Sequence, residues 1–281
     1  MSSLSCVFCG RVALQFMKKR GIGILHCTAC EHMFADVSLS HDHVENVYGS
    51  DYFFGGKDGY PNYLDEAPLL ERRGRRYARL LRRYTEPGQQ LDVGAAAGFL
   101  LKGFEAGGWS GTGLEPNAEM VQFGNEKLGL RLLRGTLETC NLKRQFDLVS
   151  LIQVVAHLND LPTAFTKLRA LTRDGGLLLV ETWNQQSLTA RLLGKYWHEY
   201  SPPSVLHWFT PERLAHILRE YGFEQVAQGR TLKWISLRHA VSLSSFAIGD
   251  GVSKKLQEKI PASFRVPYPS EDLFWGIYRA V

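Results

Sequence analysis

Four cysteines stand in two short pairs near the N-terminus, Cys6-Val-Phe-Cys9 and Cys27-Thr-Ala-Cys30. The spacing C-x2-C-x17-C-x2-C suits a four-thiolate zinc site in which two knuckles close on one tetrahedral ion. Four thiolates leave no open coordination position. Zn2+ held by Cys6, Cys9, Cys27 and Cys30 is therefore expected to fold a segment too small for its own core, with no part in activating water. A pair of dithiol switches is the alternative, weakened because neither CxxC opens a helix in a βαβ setting. Cys140 is left over and reads as a small buried residue.

The second constellation is Leu91-Asp92-Val93-Gly94-Ala95-Ala96-Ala97-Gly98-Phe99-Leu100, a strand that runs into small residues and then a helix. Small residues let a ligand approach the backbone at a helix N-terminus, where unpaired N–H groups point outward. A dehydrogenase would place GxGxxG here; this chain has GxAxG behind an acidic residue. Glu115, in Gly113-Leu114-Glu115-Pro116, ends the next strand about twenty residues on, where a carboxylate can accept both ribose hydroxyls. Gly135-Thr136-Leu137-Glu138 and Gln153-Val154-Val155-Ala156-His157-Leu158 follow further strands. His157, His198 and His207 are candidate general bases because imidazole titrates near neutrality, the alternative at each being a histidine bonded to backbone. Tyr200 stands with two of them in a polar aromatic insert, Trp197 to Thr210. Arg72, Arg73, Arg75, Arg76, Arg79, Arg82 and Arg83 form either a solvated helix face or an anion-binding surface.

An α/β scaffold must position these groups. Strands are expected at 90–93, 109–114, 131–134, 146–152 and 176–181, with helices at 99–107, 117–128 and 161–171; such alternation means crossovers and a doubly wound, mostly parallel sheet. An amphipathic helix precedes them at 67–84. Thr210 as N-cap, Pro211 and a stop near Gly222 mark another, followed by strands of antiparallel character and a short helix at 254–259. Three regions result: a zinc-ribbon-like module at 1–40, an aromatic and glycine-rich linker or lid at 41–66, and the α/β domain at 67–281 with an acceptor-pocket insert near 183–209. The chain has 281 residues, 44% hydrophobic and 22% charged, with net charge +5. That composition argues against disorder and only slightly for an anionic partner. Without an apolar leader or membrane-length stretch, a cytoplasmic protein is expected.

The four ordered elements of residues 90–158 resemble the class I S-adenosylmethionine-dependent methyltransferases, a Rossmann-like fold whose D/E-x-G-x-G-x-G loop has Ala96 at its middle glycine here. By that resemblance Asp92 faces the methionine ammonium and Gly94, Ala95, Ala96, Gly98 and Phe99 pass beneath the cofactor. Glu115 and Pro116 then flank the ribose, Thr136 and Leu137 the adenine, and Gln153 borders the methyl-transfer pocket. The segment Pro202 to Thr210 resembles one in a bacterial methyltransferase group that carries an N-terminal CxxC…CxxC module and acts on sugars or secondary metabolites. The implied activity is O-methylation of a small polar acceptor such as a sugar or nucleotide-sugar. The alternatives are an RNA methyltransferase using the basic helix and zinc module, a sugar C-methyltransferase, and a non-catalytic cofactor-binding scaffold.

Overall fold

The computed structural model describes residues 4–37, 47–54, 62–231, 233–238, 241, 249–261, 264–268 and 271–281. Much of the expected lid at 41–66, including Tyr60 and three of its glycines, lies outside them.

The N-terminal segment forms β1 (Leu4–Ser5), β2 (Val12–Lys19), β3 (Ile22–Cys27) and β4 (Met33–Asp36). A short helix α1 (Ser50–Phe54) leads to α2 (Ala67–Leu81). The α/β domain then runs β5 (Gln89–Val93), α3 (Phe99–Glu105), β6 (Ser110–Glu115), α4 (Ala118–Leu128), β7 (Leu132–Arg134), β8 (Phe146–Ile152), α5 (Leu161–Leu171) and β9 (Thr172–Trp183). The remainder is α6 (Leu188–Leu193), β10 (His207–Trp208), α7 (Pro211–Glu220), β11 (Phe223–Arg230), β12 (Lys233–Ser236), α8 (Asp250–Lys259), β13 (Arg265–Tyr268) and β14 (Leu273–Ala280).

The seven-stranded sheet has the order β11-β14-β9-β8-β5-β6-β7. β5 to β9 pair in parallel, and β14 enters antiparallel between β9 and β11. Chain order reverses at β5 and β8, so their carboxyl ends open the crevice where doubly wound sheets hold ligands. The central strands are buried on both faces and read as continuous apolar runs such as Leu177-Leu178-Leu179-Val180, all at most 1% exposed. Helix punctuation follows side-chain chemistry: Thr210 accepts from the Arg213 amide at 3.1 Å and Asn117 from Met120 at 3.0 Å. Helices α2 and α3 approach closely through Gly74 and Gly103, where an added Cβ would strike backbone of the facing helix. Among the described residues no helix is long and apolar enough to cross a membrane.

The small sheet has the order β1-β2-β3-β4-β10. Its fifth strand comes from the insert after β9, with His207 opposite Phe34 and Trp208 opposite Met33. The same segment reaches into the α/β domain, because the Leu206 amide donates to Ala156 O at 2.8 Å. Cys140 is half-buried and its thiol donates to Leu137 O at 3.3 Å.

Candidate cofactor cavity and cysteine cluster

The loop after β5 is left-handed at Gly94 (φ 69) and Gly98 (φ 87), as glycine allows. Ala96 (φ 47) also occupies this region, which costs a residue with a Cβ roughly 1–2 kcal/mol. Hydrogen bonds hold it there: the Gly94 and Ala95 amides donate to Leu114 O at 2.8 and 3.1 Å, and the Ala96 amide donates to Glu115 Oε2 at 2.9 Å. The other Glu115 oxygen accepts from the Asn117 amide at 2.9 Å. Each carboxylate oxygen retains a lone pair for a further donor. Burial raises the Glu115 carboxyl to a pKa of about 7.

Asp92 is 2% exposed; its Oδ1 accepts from the Ser150 hydroxyl at 2.6 Å, while Oδ2 has no partner within the chain. Burial, reinforced by Glu115, lifts its pKa to about 7. An orphaned buried carboxylate oxygen beside a loop of small residues fits the cationic methionine end of S-adenosylmethionine, and Glu115 fits its ribose diol.

Glu115 and the loop after β5 border a cavity of about 370 Å³. Gly94, Ala95, Ala96, Glu115 and Pro116 line one side of it, Thr136 and Leu137 another, and Gln153 and His157 the end of β8. Asp92, Gly98 and Phe99 stand behind this lining; Phe99 stacks on Tyr63 at 5.7 Å. His198 lines the far side, its Nε2 at 3.1 Å from Glu199 Oε1 and its ring edge-on to Trp183 at 5.1 Å.

His207 and Tyr200, expected among the candidate bases, do not line the cavity. His207 is 5% exposed, with Nε2 at 3.1 Å from Leu158 O, and its pairing with Phe34 turns it into the packing between the two sheets. Burial takes its pKa down to about 3. Tyr200 packs on Trp197 and Trp208 at 5.2 and 5.6 Å.

His157, like His198, lines the cavity, and one of its ring nitrogens is committed to backbone. Its Nδ1 lies 2.6 Å from Ser204 O. A carbonyl only accepts, so Nδ1 carries the hydrogen and Nε2 keeps its lone pair. Burial lowers the imidazole pKa, opposed by the Ser204 bond, so the ring is neutral at neutral pH.

Two lining residues escape a reading of motifs. Tyr48 donates its hydroxyl to Ser204 O at 3.0 Å and is held protonated by burial. Arg73 points into the protein, paired with Glu181, which also accepts from Tyr77, from Thr231 at 3.0 Å and from Gln153 at 3.3 Å. Helical spacing contains the signal for Arg73: Leu70, Arg73, Tyr77 and Leu81 fall on one face, and Tyr77 and Leu81 are buried.

In the small sheet the four thiol sulfurs lie within 4.8 Å of one another, with Cys6–Cys30 and Cys9–Cys27 each at 3.5 Å. Tetrahedral zinc with Zn–S bonds of about 2.3 Å separates its sulfurs by roughly 3.8 Å, so the cluster fits the ion. At Cys27 burial is outweighed by the backbone N–H groups of Cys30 and Ala29, which bring its pKa down to about 7, whereas burial raises the Cys6 and Cys30 thiols, so Cys27 is the readier of these three to give the thiolate that a metal needs. Four thiolates close the coordination sphere and none of the four cysteines lines the cavity, as suits a structural ion.

The methyltransferase-domain family model matches residues 69–228, and the chain belongs to that family. Its sheet is that of the S-adenosylmethionine-dependent methyltransferases. The N1-methyltransferase of 1,6-didemethyltoxoflavin from Burkholderia thailandensis superposes with TM-score 0.54 at 16% identity, over 95% of this chain and 99% of that one. A possible histamine N-methyltransferase from Thermotoga maritima gives 0.52 at 19% identity, over 78% and 93%. A curated relative, the ubiquinone biosynthesis O-methyltransferase of Rhodopseudomonas palustris, is 27% identical over 145 residues, 48% of this chain and 57% of its own length. The chain thus spans little more than half the length of the curated relatives it matches.

Proposed function

We propose that this chain transfers the methyl group of S-adenosylmethionine to a hydroxyl of a small polar acceptor, a sugar or a secondary metabolite. The observation that carries this reading is His157, which lines the same cavity as Glu115 and whose Nδ1–H is held by Ser204 O, so that its Nε2 keeps a lone pair. The O-methyltransferase relatives support the choice of oxygen.

S-adenosylmethionine supplies an electrophilic methyl group. When bound, its ribose diol would be held by Glu115, its ammonium by Asp92 Oδ2, and its adenine by Thr136 and Leu137. Arg73, the one Arg or Lys among the described lining residues, suits the methionine carboxylate. The acceptor hydroxyl would sit between His157 and the side formed by Trp183, His198 and Glu199. As that oxygen takes the methyl group, its proton would pass to His157 Nε2, with the Ser204 carbonyl steadying the imidazolium. Most of the rate comes from holding acceptor and sulfonium in line.

An RNA substrate is the second reading. Within the arginine run Arg73 is turned onto Glu181, Arg75 lies 3.4 Å from Glu71 and Arg82 donates to Gly107 O at 3.1 Å, while Arg72, Arg76 and Arg79 stay exposed along one face of α2 and can meet phosphate.

The test is transfer of labelled methyl to a panel of hydroxylated small molecules. Label should appear on oxygen, and His157→Ala should lose turnover while retaining S-adenosylhomocysteine binding by calorimetry. Label on carbon would replace this reading with C-methylation, and cofactor binding without any transfer would favour a scaffold.

A further inference from the structure

His207 lies outside the cavity, yet its bonds lead to it. His32 is fully buried, ringed by Phe8, Phe34 and Phe209 at centroid distances of 4.7, 5.8 and 5.4 Å. Its Nε2 is 3.1 Å from His207 Nδ1, and His207 Nε2 is 3.1 Å from Leu158 O. The Leu158 carbonyl only accepts, so His207 must carry its hydrogen on Nε2. A neutral His207 then offers a lone pair at Nδ1, and His32 must donate its own Nε2–H to it. Each ring is thereby confined to one tautomer, and the polarity runs from β4 to the turn that bears His157.

Segment 204–208 is the strap that makes this matter. On one side the Ala35 amide donates to Leu206 O at 2.8 Å, tying it to the small sheet. On the other, Leu206 holds Ala156, His207 holds Leu158, and Ser204 O receives His157 Nδ1–H at 2.6 Å. Three consecutive residues of the His157 turn are thus bonded to this one strap.

We infer that His32 and His207 are positioning residues: they lock the strap against the Val155–Leu158 turn and so fix the tautomer and direction of His157. The importance of His157 rests on the function proposed above; the lock itself does not. Removing the His32 donor leaves a buried lone pair on His207 Nδ1. His207 can then satisfy it only by turning towards another donor, which breaks its bond to Leu158 O. The turn loses its central tie, and His157 is released from Ser204.

The test is a long-range proton–nitrogen correlation spectrum of the zinc-loaded full chain with 15N-labelled histidine and no acceptor present. His32 and His207 should each show pyrrole-type Nε2 and pyridine-type Nδ1, and His157 the reverse. In His32→Ala, His157 should lose its single tautomer. In His32→Gln, whose amide can donate to His207, it should regain it. A wild-type His207 protonated on Nδ1 would overturn the inference without any variant, so it stays testable if His32→Ala does not fold. An unchanged His157 pattern in a folded His32→Ala would overturn it as well. Because no methyl transfer is measured, failure of the proposed function, seen as full turnover by His157→Ala, is a separate result.

Discussion

The Ala96 amide donates to Glu115 Oε2 at 2.9 Å, which joins the loop after β5 to the end of β6. One carboxylate therefore closes a left-handed turn while keeping lone pairs for a ligand. The bond also explains how alanine is tolerated where glycine would be free of strain. Removing the side chain should harm loop and ligand together: Glu115→Ala is expected to weaken S-adenosylhomocysteine binding by about 10–100-fold, the worth of one or two charge-assisted hydrogen bonds. Titration calorimetry at fixed pH checks it.

Asp92 and Glu115 both have folded-state pKa values raised to about 7 by burial. A carboxyl that binds its proton more tightly when folded stabilises the fold below its unfolded pKa, near 4, and loses that contribution as pH rises through the folded value. The cofactor-free chain should therefore become less stable between about pH 4 and pH 7 through these groups. Binding of the cationic cofactor should strengthen over the upper part of that range, as the carboxylates ionise. Thermal melts of wild type and Asp92→Asn across pH check the first statement, the variant showing the shallower slope; calorimetry checks the second.

The arginines of α2 are not equivalent. Arg73→Ala leaves Glu181 buried without its cationic partner, a change worth roughly 3–5 kcal/mol, whereas exposed Arg79→Ala should stay within about 0.5 kcal/mol. Urea unfolding separates the two outcomes; equal effects would mean that Arg73 is another surface charge.

Gly74→Ala raises helix propensity by about 1 kcal/mol, yet the added Cβ meets the Leu100 carbonyl across the α2–α3 contact. Overpacking of this kind costs about 1–3 kcal/mol, so net destabilisation is expected, read as a lower urea midpoint at unchanged slope.

Zinc analysis of the purified chain should give one ion per chain, and Cys27→Ser should abolish it. Stripping the metal should also reach the insert, because Trp208, 2% exposed and paired with Met33, belongs to the same sheet. A red shift of tryptophan emission on chelation, reversed by added zinc, is the expected signal.

Much of this molecule is legible in one dimension because its signals are local. The CxxC pairs lie on two knuckles, Asp92 to Gly98 on one strand–turn–helix, and Glu115 at a strand end. Strand Phe146–Ile152 and helix Leu161–Leu171 follow directly from apolar pattern and caps. What remained hidden was long-range. Nothing near His207 distinguishes it from His157 as a base; its exclusion from the cavity follows from β10 pairing with β4 across more than 170 residues of chain. Arg73 looked like its neighbours because a run of arginines masks which one faces inward. The sequence by itself determined the ligand types and the succession of strands and helices along the chain, since hydrophobic period, turn chemistry and ligand spacing are properties of neighbouring residues. Only the tertiary structure decided that His157 lines the cavity while His207 does not, and that the cysteine module shares a sheet with the segment bonded to His157, because both depend on hydrogen bonds between segments that meet only after folding.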